Sequence, residues 1–207
     1  MCIRDSTNVN LTNGTWKEVS NGRIWSMSFR STNAYSLNFV FSNFNLAEGA
    51  KLYILNENET MSYGPITSEM NPKNGDFLTD LVEGEFVTIY LFEPLEQEGK
   101  STLTVKKAVH AYKNVFPIYN SRLGESLGCT NVVYCFPAWD FESDAVCMDL
   151  LANGTAWFSG SLLMTADQSF DHYFLSAFHC IDTDVANGIL SANEINNAEN
   201  WMLRFQY

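Results

Sequence analysis

A period of two runs through the first half of this chain, and it narrows the fold more than any other feature. Gly22–Arg30 places Ile24, Ser26 and Ser28 on one side and Trp25, Met27 and Phe29 on the other. Ala34–Phe41 puts Tyr35, Leu37, Phe39 and Phe41 on one face, and Ala50–Leu55, Glu85–Phe92 and Ser101–Tyr112 continue the alternation. Aromatic and β-branched residues at that period fit half-buried antiparallel strands. Between them, Asn13-Gly14, Asn21-Gly22, Glu48-Gly49, Asn74-Gly75 and Glu83-Gly84 supply turns that tolerate positive φ. No segment in this half carries a long amphipathic helical stripe. Residues 7–113 are therefore expected to form an antiparallel β-sandwich, and the chain as a whole to be all-β.

Charge separates the two halves. Up to Lys113 there are 10 basic and 13 acidic residues; from Asn114 onward there are 2 basic residues (Arg122, Arg204) and 11 acidic ones. The net charge of -12 excludes a nucleic-acid footprint, which needs clustered Lys and Arg. No apolar run is long enough to span a bilayer. Asn114–Gly128 contains Pro117, Gly124 and Gly128 without periodicity, so 114–128 is expected to be a linker and 129–207 a second domain. Met1–Ser6 shows neither periodicity nor a signal-peptide pattern and resembles a translated sequencing-adapter scar; residues 1–6, Cys2 included, are set apart from the fold.

The remaining cysteines are Cys129, Cys135, Cys147 and Cys180. Their spacing fits neither a CxxC pair nor a zinc ribbon, which points to a partial disulfide set and an oxidising compartment. Ala145–Leu150 reads as a strand, Asn153-Gly154 as a tight turn, Ala156–Leu163 as the returning strand, and Tyr173–Ala177 as a strand that delivers His179. Gly160-Ser161-Leu162-Leu163, followed by Ser176-Ala177-Phe178-His179-Cys180, resembles the opening of a trypsin-like serine protease. Cys129 and Cys135 match the paired cysteines at the start of the secreted bacterial lysyl-endopeptidase-like family. Trp25-x-Met27-x-Phe29, Ala34–Phe39, Gly49–Ile54 and Gly64-Pro65-Ile66-Thr67 through Gly75-Asp76-Phe77 resemble the sandwich that precedes the protease in that family. Leu123–Cys129 resembles the segment where its mature protease begins, which implies a cleavage site within 114–128 if the sandwich is a removable pro-segment.

The resemblance implies the incomplete first barrel of a double β-barrel, with His179 as general base and acid of a Ser-His-Asp triad. Histidine suits that role because its ordinary pKa lies near working pH. The triad also needs an aspartate to fix the imidazole tautomer and a serine whose proton the imidazole takes. The family's Gly-Asp-Ser-Gly-type turn does not occur here, so both partners are expected outside these residues and the fragment is expected to be inactive. Ser161 matches a structural barrel strand, and Asp182 and Asp184 read as loop residues. His110 reads as a structural histidine. Asp171 and His172 read as turn residues, and His172 and His179 fit no common zinc spacing; no metal and no cofactor are implied. The family pairs the cysteine after its histidine with one before the Gly-Ser stretch. Phe158 holds that position here, so Cys147 on the preceding strand becomes the expected partner of Cys180. Cys129 and Cys135 would then have partners beyond residue 207. The reading is a secreted serine endopeptidase acting on protein or peptide. The alternative is a secreted, non-catalytic binding protein with a degenerate barrel; specificity and oligomeric state stay open.

Overall fold

The computed structural model describes residues 3–112, 136–151, 156–167, 169, 171–183 and 188–205. The chain divides into two compact units, Met1–Asn114 and Val115–Tyr207. The expected linker, the Asn153-Gly154 turn, Cys129, Cys135 and Asp184 lie outside the described residues.

The first unit contains ten strands: β1 (Ile3–Asn10), β2 (Thr15–Val19), β3 (Gly22–Arg30), β4 (Ser36–Asn45), β5 (Lys51–Asn56), β6 (Ser62–Ile66), β7 (Phe77–Leu78), β8 (Val82–Glu83), β9 (Phe86–Pro94) and β10 (Thr102–Ala111). One sheet runs β1-β10-β4-β7, with β8 also on β4; the other runs β2-β3-β9-β5-β6. Every pairing is antiparallel. The alternation read from sequence sets the inward faces. Strand β9 buries Val87, Ile89, Leu91 and Glu93 at every second position. Trp25 from β3, Leu37, Phe39 and Phe41 from β4, Leu52 and Ile54 from β5 and Val105 from β10 join one core between the sheets. The first unit is a β-sandwich.

Three details differ from the sequence reading. Strand β1 reaches back to Ile3: Ile3, Arg4, Asp5 and Ser6 pair with His110, Val109, Ala108 and Lys107. Residues 3–6, expected outside the fold, thus continue the sheet, because β10 offers them an edge whose N–H and C=O groups need partners. Strand β4 is covered on both faces, since Ser36 and Asn38 are as buried as Leu37 and Phe39. Gly14, Gly49, Gly75 and Gly84 have positive φ as expected, but Gly22 does not. Gly22 is required for space instead: a Cβ there would press on the Glu93 carbonyl and lie 3.0 Å from the Phe92 ring.

In the second unit a short helix, α1 (Asp140–Ser143), precedes β11 (Val146–Leu150) and β12 (Ala156–Leu163). Strand β13 (Tyr173–Leu175), helix α2 (Ala192–Ala198) and β14 (Met202–Phe205) follow. The strands form an open antiparallel sheet in the order β13-β12-β11-β14. Register puts Val146, Ser161 and Leu175 side by side, and Leu163 beside Tyr173 on the same face. Val146, Leu163, Tyr173 and Leu175 are all exposed there. Together the two units make the chain all-β.

Candidate active site

The site is built on β12 and β13. Leu163, Leu162 and Ser161 pair with Tyr173, Phe174 and Leu175, and the chain then leaves the sheet. Two residues later it closes a 3-10 turn, Phe178–Cys180, with His179 at its centre. Three backbone bonds hold this turn. The Cys180 N–H donates to Ala177 O at 3.0 Å, and the Ile181 and Asp182 N–H groups both donate to Phe178 O at 3.0 Å. Cys180 is buried beneath the turn while His179 faces solvent.

Gly160 explains how β13 comes close enough. A Cβ at Gly160 would collide with the Phe174 ring and lie 2.7 Å from the Leu175 carbonyl oxygen. Only a residue without a side chain lets the ring cross over β12. The glycine of the Gly-Ser-Leu-Leu stretch is therefore a packing requirement for the strand that carries His179.

Ser161 lies in mid-strand between Val146 of β11 and Leu175 of β13. Asp182 is buried, and its Oδ2 accepts the Gly188 N–H at 2.8 Å. Asp171 accepts from Ser169 Oγ at 2.9 Å, and its carbonyl accepts the Tyr173 N–H, so it caps the turn before β13. The neighbouring His172 is exposed. His110, on the sandwich, shares a 2.8 Å hydrogen bond between Nδ1 and Ser31 Oγ. Among the described residues, no three His, Cys, Asp or Glu side chains are grouped to hold a metal ion.

The expected Cys147–Cys180 bridge is not formed. Cys147 is a buried free thiol that donates to Asp149 Oδ1 at 3.6 Å. The physical reason lies in the strand order, because β12 separates β11 from β13. Strand β13 lies two strand spacings, about 9–10 Å, from β11, and Cys180 sits in the turn beyond it, whereas a disulfide spans a Cα separation of about 7 Å. Burial, reinforced by the Asp149 carboxylate, pushes the Cys147 thiol up to about 11, so it remains protonated and inert.

Sequence reasoning missed two buried acids. Asp149 is fully buried on β11 among Phe158, Gly160, Leu203 and Phe205, and its Oδ2 has no hydrogen-bond partner among the described residues. Burial pushes its carboxyl up to about 6, slightly offset by the Cys147 bond. Glu194 is buried at the start of α2, where Ser191 and Glu194 form a complete capping box. The Ser191-x-x-Glu194 spacing was the available signal for that helix.

Residues 123–203 match the family model described as lysyl endopeptidase, C-terminal domain. That segment, from within the expected linker to β14, is thus similar to a protease domain, and the rest of the chain lies outside the match. No solved structure matches the chain. Among the described residues no helix is long and apolar enough to cross a membrane.

Proposed function

We propose that the chain is part of a secreted, trypsin-like serine endopeptidase in which His179 is the general base and acid. The observation that carries this reading is the placement of His179. It is an exposed imidazole on a hydrogen-bonded turn at the end of β13, inside the segment similar to the lysyl endopeptidase domain. As base, its ring takes the proton of a serine hydroxyl as that oxygen attacks the scissile carbonyl. As acid, it returns the proton to the leaving amine. The serine and the orienting aspartate come from outside these 207 residues, so the fragment alone does not hydrolyse peptides. Ser161 is fixed in the sheet, and one oxygen of Asp182 is already engaged by Gly188. The sandwich is either a pro-segment released by cleavage within 114–128 or a permanent accessory domain. An intact linker in the secreted, active protein, read by mass spectrometry, would exclude that release.

The test is labelling of the protein expressed from its complete reading frame by a peptidyl phosphonate. Labelling should occur and should vanish on His179→Ala. Labelling that survives this substitution would remove His179 from the mechanism, and a complete protein that never labels would favour the binding role instead.

A further inference from the structure

We infer that Glu194 is a positioning residue for His179, acting through the backbone of Thr183; the inference rests on the protease reading of that histidine. A helix-capping glutamate ordinarily serves only its own helix, its carboxylate returning to the N-cap backbone. Glu194 does this with one oxygen: Oε2 accepts the Ser191 N–H at 2.8 Å and the Ser191 hydroxyl at 2.9 Å. Its other oxygen reaches away from the helix, and Oε1 accepts the Thr183 N–H at 2.6 Å. Thr183 follows the His179 turn directly, since Asp182 already donates its own N–H to Phe178 O.

The turn needs such a hold. On its upstream side His179 depends on β13, a strand of three residues that, among the described residues, pairs with β12 alone. On its downstream side Thr183 lies outside the strands. Glu194 supplies an anchor there, because the chain that leaves α2 is fixed to the sheet. Trp201 packs edge-on against Phe158 of β12, with ring centroids 4.8 Å apart, and Met202–Phe205 pair with the inner strand β11. Contact therefore runs from β11 and β12 through Trp201 and α2 to Glu194, Thr183 and the histidine turn. Glu194 is 3 % exposed, so its bonds to these donors are shielded from water. Asp182, next to Thr183, is itself tied to Gly188 by a 2.8 Å bond.

The experiment uses isotope-labelled full chain and reads two signals: exchange of the Thr183 amide and the imidazole cross-peak of His179. His110 and His172 are internal references. Glu194→Ala should speed Thr183 exchange on the order of 10- to 100-fold, the range expected for losing a bond to a buried charge. It should also shift or broaden the His179 cross-peak while leaving those of His110 and His172 in place. Glu194→Gln keeps one acceptor oxygen, so the two signals should recover together wherever that oxygen still serves Thr183. Across Ala, Gln and Asp variants, the His179 signal must track Thr183 protection. A His179 signal that stays native when Thr183 is unprotected overturns the inference, as does a change shared equally by His172. The readout needs no turnover, so it can fail while phosphonate labelling succeeds, and the reverse.

Discussion

Replacing Gly160 by alanine tests whether β13 is held by close approach rather than by its three backbone pairs. The new methyl would overlap the Phe174 ring and sit 2.7 Å from the Leu175 carbonyl oxygen and 2.8 Å from Phe174 Cε1. Ordinary carbon–oxygen contacts lie several tenths of an ångström farther out. The ring can swing aside, but the carbonyl moves only if β13 moves. Overpacking of this kind costs about 1–3 kcal/mol. For a unit of this size, each kcal/mol lowers the melting temperature by about 4–8 °C. Hydrogen exchange followed by mass spectrometry locates the effect. Peptides covering 156–163 and 171–180 should exchange about 5- to 100-fold faster, while peptides from the sandwich keep their wild-type rates. Ser161→Ala, one residue away, introduces no overlap and should change stability by less than about 0.5 kcal/mol. A Gly160→Ala protein with native exchange in β12 and β13 would refute the packing argument.

Three further outcomes follow from the buried groups. Because burial raises Asp149 to about 6 from 3.8, its contribution is greatest below the lower value and is lost as pH rises to the upper one. Asp149→Asn should abolish that dependence and, above pH 6, stabilise the second unit by at most about 3 kcal/mol, measured by urea unfolding across pH. Glu93 behaves oppositely. Burial alone would raise it, but bonds from the Gly99 N–H, Arg23 and Ser101 prevail and hold it low, so the sandwich loses stability as pH falls through the carboxyl range. Glu93→Gln should cost about 1–3 kcal/mol in a thermal melt of the sandwich, since it weakens the bonds from Gly99, Ser101 and Arg23 while Arg23 keeps Glu98 at 2.7 Å. Cys147 should resist iodoacetamide in the folded chain and react once urea exposes it; rapid native alkylation would contradict its burial.

The sandwich was legible because its information is local. Alternation at Trp25, Met27 and Phe29 and at Leu37, Phe39 and Phe41 names the inward face, and glycines at the turns end each strand. The hairpin β11–β12 was legible for the same reason, whereas the strand expected over Tyr173–Ala177 ends at Leu175 and His179 stands on a 3-10 turn. What sequence could not show is which strand lies between two others. Asp149 stands between Met148 and Leu150 and, at period two, reads as a solvent-facing residue. It is buried because Leu203 flanks it from β14, a pairing across more than fifty residues. The same strand order defeats the Cys147–Cys180 bridge. Helix α2 was missed because Ala-Asn-Glu-Ile-Asn-Asn-Ala has no apolar stripe and is marked only by its cap.

The pairing of β1 with β10 has a consequence for how the protein is made. Ile3 lies opposite His110, so the sandwich brings its first and last strands together. A ribosome must deliver about 110 residues before that sheet can close, and such distant pairing makes folding slow.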